Sequence, residues 1–494
     1  MVFIRTLAVF DPGLAEQTRE LKTFYPNSVL VTGPDIIFFW VARMMMLGLH
    51  FMKKVPFRTV FLTPIVTDAN GDKMSKVKGN VIDPLDVVHG TTLDALLAKA
   101  EADGLSEAAM KTVRKLFPDG IPSAGVDALR FSLASMALPG RYLSLSVERI
   151  EGYRHFINKL WNASRFALMN LEDFEADRFA DTLESGPPRD ALSLADRWIL
   201  SRLQRTAAEV DAALESFRFA DAAGAIYHFI WGDLCDWYIE LAKGSLYGAG
   251  EGADEVAVRR RTVAQGTLAT TLEATLRMLH PFAPFVTEEI WQTLAARAES
   301  LDEGALIVAA YPRGESSYHD EAAEHRMAVL IRVVRTIRNI RAEWKVEPAR
   351  FIEAHVAPLS STALLGITQG VTVEMIQDLT PYIKALARVS VLHVAETADS
   401  IQRAQAATAP TEADDVYVVV PLTGLFDVAA ERARLSKLIA GADAEAARIE
   451  AKLGDAGFRA KAPAAIVAKE QERLAAAQAR VAALRASLAE LGDA

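Results

Sequence analysis

The stretch Ser28-Val29-Leu30-Val31-Thr32-Gly33-Pro34-Asp35-Ile36-Ile37-Phe38-Phe39-Trp40 decides the fold class. Residues 28–32 are apolar and β-prone, and they read as a short apolar strand. Gly33-Pro34-Asp35 stops that strand and opens a helix to about Leu49. Proline suits the first helical position because its missing N–H would have no partner there. A second strand is expected from about Thr59 to Val66, then a turn at Asp68-Ala69-Asn70-Gly71. Strand, helix and strand without hairpin spacing predict a parallel α/β unit.

The turn leads into Lys73-Met74-Ser75-Lys76-Val77-Lys78-Gly79-Asn80. A loop with two lysines can close over a triphosphate. When a carboxylate attacks the α-phosphorus of ATP, charge builds on the departing pyrophosphate. A lysine ammonium placed there favours the transition state over the ground state. Met74 can anchor such a loop, and Gly71 and Gly79 offer hinge freedom. On composition alone, a solvated basic hairpin tip is the other reading.

The whole chain has 494 residues, room for several domains, and its mixture of 51% hydrophobic and 24% charged residues is globular rather than disordered. Net charge is 54 − 64 = −10, so contact with RNA has to come from local patches. Cys235 is the only cysteine, which excludes an internal disulfide and any zinc site with several thiolates; no protein-bound metal is expected, and a cytoplasmic setting fits. Met1–Phe10 has no signal-peptide pattern. The apolar stretch Ile36–Met52 is interrupted by Arg43 and His50, and it reads as a buried helix with no role for a membrane.

Helical periodicity runs over Asp127–Asn170 and resumes from Ser193 to Arg350, with a linker around Pro187-Pro188. Trp198, Trp231 and Trp237 are expected in the core, and His280 before Pro281 reads as structural. Arg332, Arg335, Arg338 and Arg341 recur every three residues, either a solvated face or a row against RNA phosphates. Strands are expected at Val389–Val394 and Val416–Val420. Beyond Val428, Leu435, Leu438, Ala442, Ala446, Ile449 and Leu453 form one stripe. Leu474, Ala477, Val481, Leu484, Leu488 and Leu491 form another, which predicts an antiparallel coiled-coil hairpin.

Taken together, the lysine loop with its following Gly79-Asn80 and Asp83-Pro84 resembles the KMSKS loop of class I aminoacyl-tRNA synthetases. Residues 31–44 are similar to the strand–helix segment of the valyl-tRNA synthetases, and Asp127-Ala128-Leu129-Arg130 looks like the DALR signature. Asn158-Lys159-Leu160-Trp161, Cys235-Asp236-Trp237-Tyr238 and His280-Pro281-Phe282 match as well, as does the terminal hairpin with Phe458 and Lys461-Ala462-Pro463. The resemblance implies ATP-dependent valine activation, with Mg2+ accompanying ATP, and transfer to tRNA-Val.

By the same resemblance, Lys73 and Lys76 stabilise pyrophosphate; Gly33, Asp35, Met74 and Ser75 join them around ATP or the adenylate. Ile36 and Trp40 line the valine pocket, and Arg332, Arg335, Arg338 and Arg341 meet tRNA. The expected fold is α/β plus mostly α. Residues 1–150 are the second half of a Rossmann-type catalytic domain and 151–192 a stem helix and linker. Residues 193–350 are a helical anticodon-binding bundle, 351–426 a small α/β unit and 427–494 a coiled-coil arm. Val77 departs from the motif's last serine, and Pro34 and Thr63-Pro64 depart from the family pattern nearby. None of the nine histidines is three residues from another, so the HIGH motif of class I enzymes is not in this sequence. A truncated or split enzyme, needing a separate HIGH-containing half, is the first expectation. A catalytically inactive tRNA-binding fragment or paralogue is the alternative.

Overall fold

The computed structural model describes residues 18–138, 142–174, 191–248, 253–295, 304–314, 318–359, 370–402, 406–422, 428–455 and 464–490. Met1–Phe10, Pro187-Pro188, Phe458, Lys461-Ala462-Pro463 and Leu491 lie outside the described residues, as does the side chain of Lys76. The chain forms two compact units, Met1–Asp320 and Glu321–Ala494.

In the first unit, β1 (Asn27–Thr32) pairs in parallel with β2 (Phe57–Leu62), with Val31 opposite Phe61. The helix Pro34–Met52 crosses between them. The expected single strand Thr59–Val66 is in fact two. It breaks at Thr63-Pro64, and β3 (Ile65–Thr67) pairs in parallel with β4 (Tyr142–Ser144) instead. Proline has no N–H for a ladder, so the break falls where the sheet changes partner. β4 also interrupts the segment expected to be helical from Asp127, leaving helices Val126–Ser135 and Val147–Asn170.

The expectation that Ile36–Met52 is buried is overturned. Among the described residues of that helix, Val41 and Gly48 alone are buried, while Phe38 is 76% exposed and Trp40 54% exposed. The sheet beneath it has two strands, and no described layer covers its outer face. By length and composition this helix could cross a membrane. Gly48 holds it to the scaffold, since a Cβ there would stand 3.0 Å from Pro56 and from the Tyr25 hydroxyl.

The rest of the unit is helical and well buried. Helices Leu194–Glu215, Phe219–His228 and Glu255–Leu279 share a core in which Ile199, Val210, Ile226 and Leu276 are fully enclosed. Trp198 and Trp237 lie in it as expected, whereas Trp231 is only half-buried.

In the second unit, helix Glu321–Glu343 packs on helix Val373–Ala387 and on a four-stranded sheet. Its apolar stripe of Leu330, Val333, Val334, Ile337 and Ile340 is buried. The sheet has β5 (Ile352–Pro358), β6 (Val389–Val394), β7 (Ala406–Pro410) and β8 (Val416–Pro421) in the order β6-β5-β8-β7. β5 is parallel to β6 and antiparallel to β8. Helices Val428–Gly454 and Ala464–Glu490 pack together as a hairpin. Ion pairs Lys452–Glu470 and Arg485–Asp443 put rising numbers on one helix against falling numbers on the other, so the pair is antiparallel. Leu435, Ala442, Ile449, Ala477 and Val481 are buried in its seam; Leu438 turns outward, 36% exposed.

Candidate functional site

The lysine loop is braced by one buried carboxylate. Asp68 Oδ1 accepts backbone N–H bonds from Asn70 at 3.0 Å and Asp72 at 2.9 Å, closing the turn. Its Oδ2 accepts from Asn80 Nδ2 at 2.8 Å. Asn80, fully buried, then uses Oδ1 to receive the Ser75 N–H at 2.9 Å. The loop's two ends are thereby tied across twelve residues. Burial pushes the Asp68 carboxyl up, but the bonds from Asn80, Asp72 and Asn70 and the Lys78 charge outweigh it and hold the group below its ordinary range. Met74 packs on the core formed by Val87, Val113, Ile121 and Leu129, the anchoring role expected from its type and place.

The two glycines differ. Gly71, at φ +83°, has open space around it. Gly79, at φ +70°, is pressed against the next helix, and a Cβ would stand 2.5 Å from the Ala109 carbonyl oxygen. Gly79 is therefore a packing position rather than the hinge expected, because only glycine fits both the dihedral and the clearance.

The fold brings two of the predicted site segments together. Lys73 Nζ lies 3.9 Å from Asp35 Oδ2, at the mouth of the helix that follows β1. A Cβ on Gly33 would meet the Asp35 carboxylate at 2.8 Å, so the bare backbone at Gly33 leaves that carboxylate its place. Lys76 begins a short 3-10 turn, Lys76–Lys78. Ile36 and Trp40, expected to wall a valine pocket, are 43% and 54% exposed, and the described residues close no pocket around them.

Motifs distant in sequence also meet away from this loop. Asp127 of the DALR-like string is buried and accepts the N–H groups of Phe285 at 3.2 Å and Val286 at 2.7 Å, capping helix Pro284–Ala295. Arg130 donates to the Pro281 carbonyl at 3.1 Å, and Phe131 packs near Phe282. His280 Nδ1 is 2.8 Å from Thr287 Oγ1, and burial lowers its pKa, which fits the structural role expected for it. Lys159 pairs with Asp236 and stands 3.9 Å above the Trp231 ring, joining two more of the motifs. Burial pushes the Cys235 thiol up to about 12, so it is neutral at ordinary pH.

The arginine row is divided by its environment. Arg341 is buried, and one guanidinium nitrogen donates to the carbonyls of Glu347, Pro348 and Arg350 at 2.9–3.3 Å. Arg332 pairs with buried Asp415, and Arg338 donates to the Leu386 carbonyl at 2.9 Å. Arg335 is on the exposed side. Of the four arginines expected to meet tRNA, Arg341 is turned inward: spacing of three drifts around a helix, and the drift carries that residue into the interior.

Comparison with known proteins gives three family matches. "tRNA synthetases class I (I, L, M and V)" covers residues 6–146, "Anticodon-binding domain of tRNA ligase" residues 196–356 and "Valyl tRNA synthetase tRNA binding arm" residues 427–492. The chain is 44% identical to the valine–tRNA ligase of Geobacter sulfurreducens over 97% of its own length and 47% of that protein. It is 38% identical to the valine–tRNA ligase of Psychrobacter arcticus, covering 96% of this chain and 47% of the relative. It thus spans about half the length of the curated relatives it matches. Among solved structures, a leucyl-tRNA synthetase ternary complex of Agrobacterium radiobacter matches 72% of this chain and 35% of that one, at 18% identity and a TM-score of 0.38. Mycobacterium tuberculosis methionyl-tRNA synthetase with methionyl-adenylate matches 56% and 46%, at 18% identity and a TM-score of 0.38. Likeness at that level carries no argument.

Proposed function

Since the chain belongs to the valine–tRNA ligase family of class I synthetases and spans about half its relatives' length, we propose that it supplies the lysine-loop half of a valine-activating site and the parts that grip tRNA-Val. The observation that carries this reading is the approach of Lys73 to Asp35 on a loop braced by Asp68 and Asn80, beside an uncovered apolar helix. In the reaction, a valine carboxylate oxygen attacks the α-phosphorus of ATP. The bond to the bridging oxygen breaks, and pyrophosphate leaves with the charge. Lys73 and Lys76 stabilise that charge, while Ser75 and the Gly33–Asp35 backbone border the nucleotide. Mg2+ arrives with ATP, and no side chain here is assigned to hold it. A ribose hydroxyl of tRNA then attacks the aminoacyl carbonyl and releases AMP. The exposed ion pair with Asp35 is weak in water, so Lys73 can leave it for a phosphate.

Ile36 and Trp40 form one wall of the valine pocket, and the other wall comes from a HIGH-containing half that lies on Phe38, Phe39 and Trp40. This protein cover, in a cytoplasmic setting, is the reading given to the exposed helix; Arg43 within it is costly in lipid. The test is valine-dependent pyrophosphate–ATP exchange. The chain alone is expected to give none. Mixed with the first half of a related valine–tRNA ligase it is expected to give exchange that Lys73→Ala lowers by roughly 10²-fold or more. Exchange indifferent to Lys73→Ala would overturn the assignment.

A second reading is supported by the bundle, which is well buried without any complement, and by the hairpin, whose narrow seam closes between its own two helices. On that reading the chain binds tRNA and activates nothing. Salt-dependent tRNA binding with no exchange after mixing would favour it.

A further inference from the structure

Away from the lysine loop, three side chains with metal-binding atoms converge on one face of the small sheet. Glu353 and His355 are two apart on β5, so both project to the same side. His393 stands on the neighbouring strand β6, directly opposite His355. The imidazole rings are stacked, with centroids 4.6 Å apart and planes inclined by 21°. Glu353 Oε1 lies 2.9 Å from His393 Nε2 and 3.4 Å from His355 Nε2. One candidate ligand atom from each residue lies within 4.8 Å of the other two.

The backbone itself arranges this meeting. The parallel register of β5 and β6 slips between Ile352, opposite Val389, and Glu353, opposite Val391. Without the slip His355 would face Leu392, and His393 would fall beside Val356 on the face that buries Ile352, Ala354 and Val356. A one-residue shift moves every side chain to the other face of a strand. Here it keeps Leu392 and Val394 with the apolar side and sets both histidines on the open one. Irregularities of this kind commonly re-aim a side chain.

We propose that Glu353, His355 and His393 form a binding site for a divalent transition ion of the zinc class, clamping edge strand β6 to β5. Ligands about 2.0–2.1 Å from such an ion stand roughly 2.8–3.4 Å from one another in octahedral or tetrahedral arrangements. The separations of 2.9 and 3.4 Å from the carboxylate oxygen match that span. Two imidazoles and one carboxylate suit zinc, cobalt or nickel rather than calcium or magnesium, which prefer oxygen. The carboxylate offsets part of the ion's charge. The half-exposed site leaves room for water to complete the coordination. No protein-bound metal was expected from a sequence with one cysteine, and His355 and His393 are 38 positions apart, so only the register joins them.

The experiment uses the full chain freed of metal by chelation and titrated with zinc chloride against a colorimetric chelator. One equivalent is expected to bind, with affinity falling at least tenfold in His393→Ala and in His355→Gln. Zinc is expected to raise the thermal midpoint of the parent chain and not that of the variants, whose metal-free midpoints serve as the folding control. Cobalt is expected to give visible absorption that Glu353→Gln alters. Absence of saturable binding by the parent, or equal affinity and equal thermal shift in the histidine variants, would overturn the site.

Discussion

Helix Pro34–Met52 is apolar enough to cross a membrane, yet only Val41 and Gly48 of it are buried. Helix Glu255–Leu279 is far more polar in sequence and buries fifteen of its residues, among them Gln265, Thr267, Thr271 and Thr275. Both belong to the first unit. The difference is in their neighbours. The bundle helix is surrounded by Leu194–Glu215, Phe219–His228 and Ile239–Tyr247, whereas the α/β helix lies beside a sheet of two strands. Apolar sequence creates a demand for cover; whether it is met depends on the layers available.

The sharpest way to break this comparison is paired truncation. Phe156 is fully enclosed and rings with Phe131 and Tyr227, so Phe156→Ala is expected to cost about 3–5 kcal/mol. Trp40→Ala in the chain by itself is expected to change stability by no more than about 0.5 kcal/mol, as for other surface positions. Denaturant unfolding of both variants gives the result, and similar losses would erase the distinction between the two regions. A smaller effect is expected at the joint that closes the bundle onto the α/β region. Asp127→Ala removes the acceptor for two helix-opening N–H groups and is expected to cost about 1–2 kcal/mol in the same assay.

The lysine loop gives a pH-dependent contrast. Asp68 has a lowered pKa in the folded chain, so its contribution to stability is present above the ordinary carboxylate range and is lost as pH falls through the lowered value. Amide exchange at Ser75 is expected to quicken only in strong acid, below about pH 4. Asn80→Ala removes the Ser75 acceptor and the bond to Asp68, and is expected to quicken exchange already at neutral pH and to move the acid loss upward. Unchanged protection in that variant would mean the clamp does not hold the loop. The smallest effect belongs to the arginines. Arg335→Ala is expected to reduce the salt dependence of tRNA binding by about one unit of slope. Arg341→Ala is expected to lower the thermal midpoint instead, since its guanidinium serves three backbone carbonyls. A slope unmoved by Arg335→Ala would return that residue to the solvated face.

Local chemistry made much of this legible in sequence. Pro34 after Gly33, the β-branched apolar run Val416–Val420 and the two stripes of the terminal hairpin each state a stop, a propensity or a period that the backbone obeys. The lysine loop was legible as a string, and its partner Asp35 through the resemblance. What escaped reading depends on contact between distant segments. Asp68 looked like an ordinary turn aspartate, and nothing local says that its second oxygen holds Asn80. The burial of Arg341 depends on where the chain runs after the helix, through Glu347 and Arg350. The exposure of Phe38 and Trp40 escaped for the opposite reason, because an apolar run carries no mark of whether its cover lies in the same chain.

The central claim, that residues 18–138 hold one face of a site completed by another segment, is tested most directly by native-state hydrogen exchange. The account predicts that amides of Pro34–Met52 in the chain alone exchange orders of magnitude faster than those of Glu255–Leu279, and that adding the first half of a related valine–tRNA ligase slows exchange around Trp40 while leaving the bundle unchanged. Equal protection of the two helices in the chain alone, with no response to the added half, would contradict it.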